Sequence, residues 1–319
     1  MKLTTWLATI AYGLMMATAA VTPALAVSNG VNAQAGTATE QFLKIPTSAR
    51  YYAMGGAYAA VANDAAGMYG QPAASLGVEH VELAGTHNEW LSDVKHEYLS
   101  FVYKVDADRA LSGQITYLGV DGFARTDEDA AGNYVAANSG GTFDASDFAL
   151  AAGYAQQLTP TVRAGGTIKL VRSTIDGIDA NAGAVDAGIM WQATDNLTLG
   201  ASLTNLGSRM KFISTSNRLP MTWRAGAAYR LPLGEFADFT LTGDAMKAVD
   251  ARCAGRFGME LSGDFWALRG GWRTDNALDN GWSAGAGVKL FDVLRIDYAY
   301  APGGILGNTQ FFTATYSFQ

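Results

Sequence analysis

Arg224, Arg230, Arg252, Arg256, Arg269, Arg273, Lys289 and Arg295 alternate with apolar or small neighbours, so that in extended chain they share one face with only Asp244, Glu260 and Asp297 for acidic company. A guanidinium binds a carboxylate through a two-pronged fork. A face of this kind can guide an anionic head group such as a fatty-acid carboxylate. It can equally pair with its own acids and with Glu40 and Asp64 from earlier in the chain, holding that earlier segment in place. Charges enclosed in a narrow interior are ordinarily paired. Uptake of an anionic versus a neutral hydrophobe by Arg252→Gln and Arg256→Gln variants separates the two readings.

Other reactive residue types lead nowhere comparable. His80, His87 and His96 are the only histidines, no nucleophile motif surrounds any serine, and their spacings do not form a chelate on a strand. No enzyme activity, metal or cofactor is therefore expected. Asp127-Glu128-Asp129-Ala130-Ala131-Gly132 has a passing likeness to a calcium loop, but Ala131 stands at a ligand position and Asn138 at the closing one. A solvated acidic surface loop is the better reading. The pairs Gly55-Gly56, Gly165-Gly166 and Gly270-Gly271 match no phosphate-binding fingerprint. Within strands they read as bulges or as places where another backbone comes close.

The elements that would carry the arginine face are strands. From about Val78 to Phe318 the chain alternates apolar with small or polar residues in about fourteen stretches, as in Leu197, Leu199, Ala201 and Leu203 against Thr198, Gly200, Ser202 and Thr204. The expected spans are 79–90, 94–105, 109–119, 146–156, 161–172, 183–193, 196–206, 220–231, 238–247, 251–261, 264–273, 281–290, 292–300 and 310–318. Connections after even strands are short, whereas 120–145, 173–182 and 207–219 read as longer loops. All seven prolines lie outside strand interiors. Trp90, Trp191, Trp223, Trp272, Trp282, Tyr103, Tyr154, Tyr229 and Tyr300 fall near strand ends, as an interfacial girdle would. With no amphipathic helices to cover these half-apolar strands, every edge is satisfied by closure into a 14-stranded antiparallel transmembrane β-barrel with a short N-terminal helical hatch. Short turns on one rim and longer loops on the other place both chain ends on the short-turn, periplasmic side.

Composition agrees. Hydrophobic residues make up 49%, charged residues 16%, and there are 37 glycines, too little charge for an average soluble domain. A net charge of −7 argues against nucleic-acid binding. Lys2, the apolar run Trp6 to Ala20 and Ala24-Leu25-Ala26 read as a cleaved signal peptide over 1–26, hence export. The lone Cys253 reads as a small hydrophobe on the lipid face.

Residues 37–77 break the alternation and read as short helical turns packed as a plug. Phe42-Leu43-Lys44-Ile45, Ala49-Arg50, Met54-Gly55-Gly56-Ala57, Ala62-Asn63-Asp64-Ala65 and the stretch from Tyr69 through Pro72 to Ala73 resemble the N-terminal signature of the PorV/PorQ family, one of the FadL-like outer-membrane barrels. The resemblance covers about forty residues, and the strand count of the remainder is similar to that of FadL-like barrels, which have an N-terminal hatch. Where the family usually reads Trp-Asn-Pro-Ala-Gly, this chain has Gly70-Gln71-Pro72-Ala73-Ala74, lacking that aromatic and that asparagine.

Leader, plug and strand pattern together divide the chain into three regions: signal peptide 1–26, N-terminal segment and periplasmic hatch 27–77, and barrel 78–319. An exported closed barrel is expected in the bacterial outer membrane with its lipid as partner, and the terminal strand ending in Tyr316 and Phe318 looks like one that the barrel-assembly machinery reads. The role expected from the resemblance is a conduit or binding protein for hydrophobic or amphipathic small molecules; the alternative is a surface scaffold or shuttle for type IX-like secretion proteins. The lumen-wall residues of the first role would be Arg224, Arg230, Arg252, Arg256, Arg269, Lys289 and Arg295. Its hatch residues would be Phe42, Arg50, Met54, Gly55, Gly56, Asp64, Tyr69 and Pro72.

Overall fold

In the computed structural model the described residues are 34–90, 94–129, 131–136, 141–275, 281–303 and 307–318. The expected signal peptide, residues 1–26, and the final Gln319 lie outside them. The barrel strands are β1 (Val81–Glu89), β2 (Lys95–Lys104), β3 (Arg109–Ala124), β6 (Thr142–Thr159), β7 (Val162–Ile175), β8 (Ile178–Gln192), β9 (Leu197–Gly207), β12 (Thr222–Pro232), β13 (Asp238–Ala248), β14 (Cys253–Ser262), β15 (Trp266–Arg273), β16 (Trp282–Leu290), β17 (Leu294–Pro302) and β18 (Asn308–Phe318). They close in sequence order, β1 pairing with β18, into one antiparallel barrel of fourteen strands. Two small hairpins, β4 (Thr126–Glu128) with β5 (Tyr134–Ala136) and β10 (Arg209–Phe212) with β11 (Thr215–Arg218), stand on the long-loop rim. No helix among the described residues is long and apolar enough to cross a membrane.

The period of two persists in three dimensions. Along β1 buried and exposed residues alternate, and the outward set of the barrel includes Leu99, Phe101, Ile115, Leu150, Ile168, Leu170 and Ile189. The inward set is small or polar, including Thr86, Ser100, Thr116, Thr167, Thr242 and Ser283. Lipid solvates the first set, and the second encloses a lumen too crowded for bulky apolar groups.

Three expectations are corrected. The described residues of 120–145 are mostly strand, because β3 and β6 continue past the rim, with a register shift between Val120 and Phe123, and carry the β4–β5 hairpin. The segment 173–182 is no long loop: β7 and β8 run to Ile175 and Ile178 and are joined by Asp176-Gly177, whose φ values of 51° and 75° form the tight hairpin turn that Asp-Gly favours. Trp90 does not join the girdle. It packs inward against Tyr52 and Phe311, with ring centroids 6.3 and 6.1 Å away.

The hatch threads the lumen from end to end and is not confined to its periplasmic side. At the long-loop rim Ala38 bridges Arg218 of β11, and at the other end the chain passes through Val78 into β1. Between them lie one α-helix, α1 (Ala49–Ala53), and 3-10 turns at Gln41–Lys44, Ala65–Tyr69 and Pro72–Gly77. Each is too short to be stable alone. The barrel wall holds them, and wall glycines permit the closeness. A Cβ on Gly200 would lie 1.9 Å from the Ala59 carbonyl oxygen, one on Gly271 1.9 Å from the Gly55 nitrogen, and one on Gly165 2.7 Å from the Pro72 backbone. Gly55 and Gly56 themselves turn the chain through φ of 67° and 77°, where a side chain is strained.

Candidate functional site: the ionic seat of the hatch

Arg50 leaves α1 toward the wall, and Asp64 caps the 3-10 turn that follows, accepting from the Gly67 amide at 2.8 Å. Inward positions supply Glu260 from β14, Arg269 from β15 and, two residues apart, Arg295 and Asp297 from β17. These six side chains close a ring. Arg50 meets Glu260 (2.8 Å), Glu260 meets Arg269 (2.5 Å), Arg269 meets Asp297 (2.7 Å), Asp297 meets Arg295 (2.9 Å), Arg295 meets Asp64 (2.5 Å), and Asp64 lies 3.5 Å from Arg50. Three guanidinium and three carboxylate groups make it electrically neutral. That neutrality is what allows so many charges in a largely desolvated interior, where an isolated ion would cost several kcal/mol. The Tyr51 hydroxyl also donates to Asp64, at 2.8 Å.

A second set grips the hatch backbone. Asp244 of β13 accepts the Tyr58 and Ala59 amides at 2.8 and 2.9 Å. Arg224 of β12 donates to the Gly56 carbonyl (2.6 Å) and to Asp244 (3.0 Å), its guanidinium lying 4.1 Å from the centre of the Tyr58 ring. Arg256 donates to the Gly55 carbonyl at 3.3 Å and pairs with Asp275 at 2.5 Å. Arg273 reaches the Tyr52 hydroxyl at 3.3 Å. Near the long-loop rim Gln41 and Lys44 hold Asp250 at 2.8 and 3.1 Å. Their hydrogen bonds hold its carboxyl below the usual range against the opposing effect of burial.

The seven wall residues therefore divide. Arg224, Arg256, Arg269 and Arg295 touch the hatch or its ionic ring. Arg230 and Lys289 sit at the short-turn rim, paired with Asp238 (2.5 Å) and Asp292 (3.3 Å). Arg252 is not on a strand: it lies in the turn between β13 and β14, one residue before β14 begins. The eight hatch residues are all in the plug. Phe42, Met54, Tyr69 and Pro72 are buried there.

Sequence reasoning missed the opposite wall. Lys169 of β7 pairs with Asp186 of β8 at 3.1 Å and donates to Asn205 of β9 at 2.7 Å. Asp186 also accepts the Asn205 amide (2.7 Å), fixing a bulge where Asn205 takes φ of 59°. Parity alone could have found Lys169, which alternates with Ile168 and Leu170. Gln71, in sequence only a departure from the family pattern, donates its side-chain amide to the Ala59, Ile189 and Ala201 carbonyls at 2.9, 3.3 and 3.3 Å, tying hatch to wall. Of the histidines, His96 faces the interior and is fully buried, His80 is exposed ahead of β1, and His87 is exposed and pairs with Glu97 at 2.7 Å. No group of three metal-ligating side chains occurs among the described residues.

Two polar cavities open below the hatch at the short-turn rim, of about 540 and 210 Å³, both lined by Arg50, Asn63, Glu260 and Ser262. An apolar groove of about 610 Å³ lies on the lipid-facing wall of β8, β9, β12 and β13, between Trp223, Leu203 and Ala245.

Comparison with known proteins places the fold. The profile of an uncharacterised protein family, UPF0164, matches residues 15–148. A search of curated proteins gives no match. Among solved structures, the Pseudomonas putida toluene transporter TodX is similar at 13% identity and a TM-score of 0.60, over 84% of this chain and 98% of that one. The Ralstonia pickettii toluene transporter TbuX is similar at 14% identity and 0.56, over 86% and 98%. A Pseudomonas aeruginosa FadL homologue is similar at 12% and 0.50, over 86% and 98%. The chain has the FadL-like barrel fold.

Proposed function

We propose that this is an outer-membrane conduit or binding protein for hydrophobic and amphipathic small molecules, gated by the hatch, and exported by a cleaved leader over residues 1–26. One observation carries the reading: on the side of β12 to β17 the plug is held by ion pairs and backbone hydrogen bonds. Such contacts can be exchanged for water or for a ligand's own charged group, whereas an interlocked apolar plug has no substitute partner. TodX and TbuX, which share the fold, are toluene transporters. An amphipathic anion would compete for Arg224, Arg256, Arg269 and Arg295 inside, with Arg230 and Lys289 at the short-turn mouth and Arg252 at the opposite one.

A lock on the hatch tests this. The Cβ that Gly285 lacks would stand 2.6 Å from the Ala53 Cβ and 2.4 Å from the Tyr298 carbonyl oxygen, so an Ala53→Cys, Gly285→Cys disulfide forms once the hatch and the β16–β17 pairing each give by about 1 Å. In a Cys253→Ala background, the locked protein in proteoliposomes is expected to stop uptake of toluene and of a fatty acid, and reductant to restore both. Uptake that persists through the lock would reject the gate.

One feature favours the second reading, a scaffold for secreted proteins as the PorV/PorQ resemblance implies. The described hatch residues fill the lumen, leaving the two rims and the lipid face as accessible surface. Loss of surface-protein export on deletion, with hydrophobe uptake unchanged, would select it.

A further inference from the structure

Three consecutive short turns repeat one chemical pattern. Between β12 and β13 stand Glu235-Phe236, between β14 and β15 Asp264-Phe265, and between β16 and β17 Phe291-Asp292. These hairpins are neighbours around the barrel. The three phenylalanines are 86%, 68% and 89% exposed. The other short turns, Asp106-Ala107-Asp108, Pro160-Thr161 and Thr194-Asp195-Asn196, carry no aromatic residue.

Local structure does not call for these residues. Phe291 and Asp292 are the central pair of a β-turn in which the Val293 amide donates to the Leu290 carbonyl at 3.3 Å; their φ values of 53° and 60° suit Asn-Gly and cost an aromatic residue about 1 kcal/mol. Nor does lipid anchoring account for them. The aromatic belt of this rim is carried on outward strand positions such as Tyr103, Tyr154 and Trp191, whereas Phe236, Phe265 and Phe291 stand in the turns beyond the strand ends, and each ring has a carboxylate as its chain neighbour. Among the described residues neither Glu235 nor Asp264 forms a salt bridge, and Asp292 meets Lys289 at 3.3 Å with 83% of its side chain exposed. Exposed aromatics flanked by available negative charge fit a partner that offers apolar contacts flanked by positive charge.

We propose that this half of the short-turn rim is a docking surface for a periplasmic protein segment in which apolar side chains are flanked by lysine or arginine. Asp264, Trp266 and Lys289 line the smaller rim cavity, and Arg230 and Asp238 line the larger. A docked segment therefore lies beside both openings that lead to Arg50 and Glu260.

Two measurements test it. Nitroxide labels at Phe236→Cys, Phe265→Cys and Phe291→Cys, in a Cys253→Ala background in proteoliposomes, are expected to be relaxed by a water-soluble nickel chelate more than by oxygen. Preferential relaxation by oxygen would mean insertion in lipid and overturn the proposal. In intact cells, a photo-crosslinking residue at Phe236 or Phe291 is expected to give a protein adduct that the same residue at Asp108 or Thr161 does not. The adducted segment should be apolar with flanking Lys or Arg, and Glu235→Lys with Asp264→Lys should lower its yield at least tenfold while the barrel's heat-modifiable migration is kept. No adduct, equal adducts from both halves, an acidic segment, or indifference to charge reversal overturns it.

Discussion

Arg50 in the plug and Glu260 in the wall are 210 positions apart in the chain, yet the guanidinium meets both carboxylate oxygens, Nε to Oε2 at 2.9 Å and Nη2 to Oε1 at 2.8 Å. Removing one member of such a buried pair leaves the other uncompensated, typically at about 3–5 kcal/mol. Glu260→Gln is expected to unseat the hatch, producing intermittent currents in planar bilayers where the parent is quiet. Asp238→Asn, which breaks the exposed pair with Arg230, should change stability by no more than about 1 kcal/mol. Identical currents from the two variants would show that the ring does not hold the plug.

Wall glycines make a steric prediction. Gly271→Ala places a methyl 1.9 Å from the Gly55 nitrogen, a backbone contact that no rotamer relieves. The barrel should still form, with strand-type circular dichroism, while trypsin gains access to Lys44 and Arg50. Gly183→Ala is the control, since its nearest neighbour would stand at 3.9 Å. Resistance to trypsin in both would contradict the close fit.

The entrance of the hatch should respond to pH. Burial, and then the Asp147 carboxylate, push Glu40 up to about 7 from its ordinary 4.5, with a Thr39 hydrogen bond opposing them. Between those values the folded protein holds a proton that the unfolded chain has released. Stability therefore falls as pH rises through that window and is level above it, by about 3 kcal/mol at most. The protection of amides 41–45, taken as exchange relative to the intrinsic rate at each pH, should be lower at pH 8 than at pH 5, and Glu40→Gln should abolish the difference. An unchanged pH dependence in that variant would assign the effect elsewhere.

Lys169→Met tests the side of the lumen away from the ring. It strands the Asp186 carboxylate, only 4% exposed, and removes the Asn205 partner, so a loss of about 3–5 kcal/mol is expected by thermal unfolding in detergent. A Tm within 1 or 2 °C of the parent, on the order of a few tenths of a kcal/mol, would mean that Asp186 finds its stabilisation from Thr167 and the Asn205 amide alone.

Alternation by itself determined the strands, which residues face lipid, and that closure was the way to satisfy their edges, because side-chain parity is a local property of extended backbone. The wall arginines were legible for the same reason, as was the plug, where Gly55-Gly56 and Pro72 interrupt the pattern. Turns were less so. Asp176-Gly177 carried its own tight-turn chemistry inside a stretch that reads as a loop. Which charges meet was settled only by the tertiary structure: parity places Arg269 and Arg295 inward but cannot say that Asp64, from a different element, completes their ring. Nor can it show that Trp90 turns toward Tyr52, or that Arg252 falls off the end of its strand. Those outcomes depend on the course of the hatch through the lumen and on the register of each hairpin, which are fixed by contacts between residues about 200 positions apart.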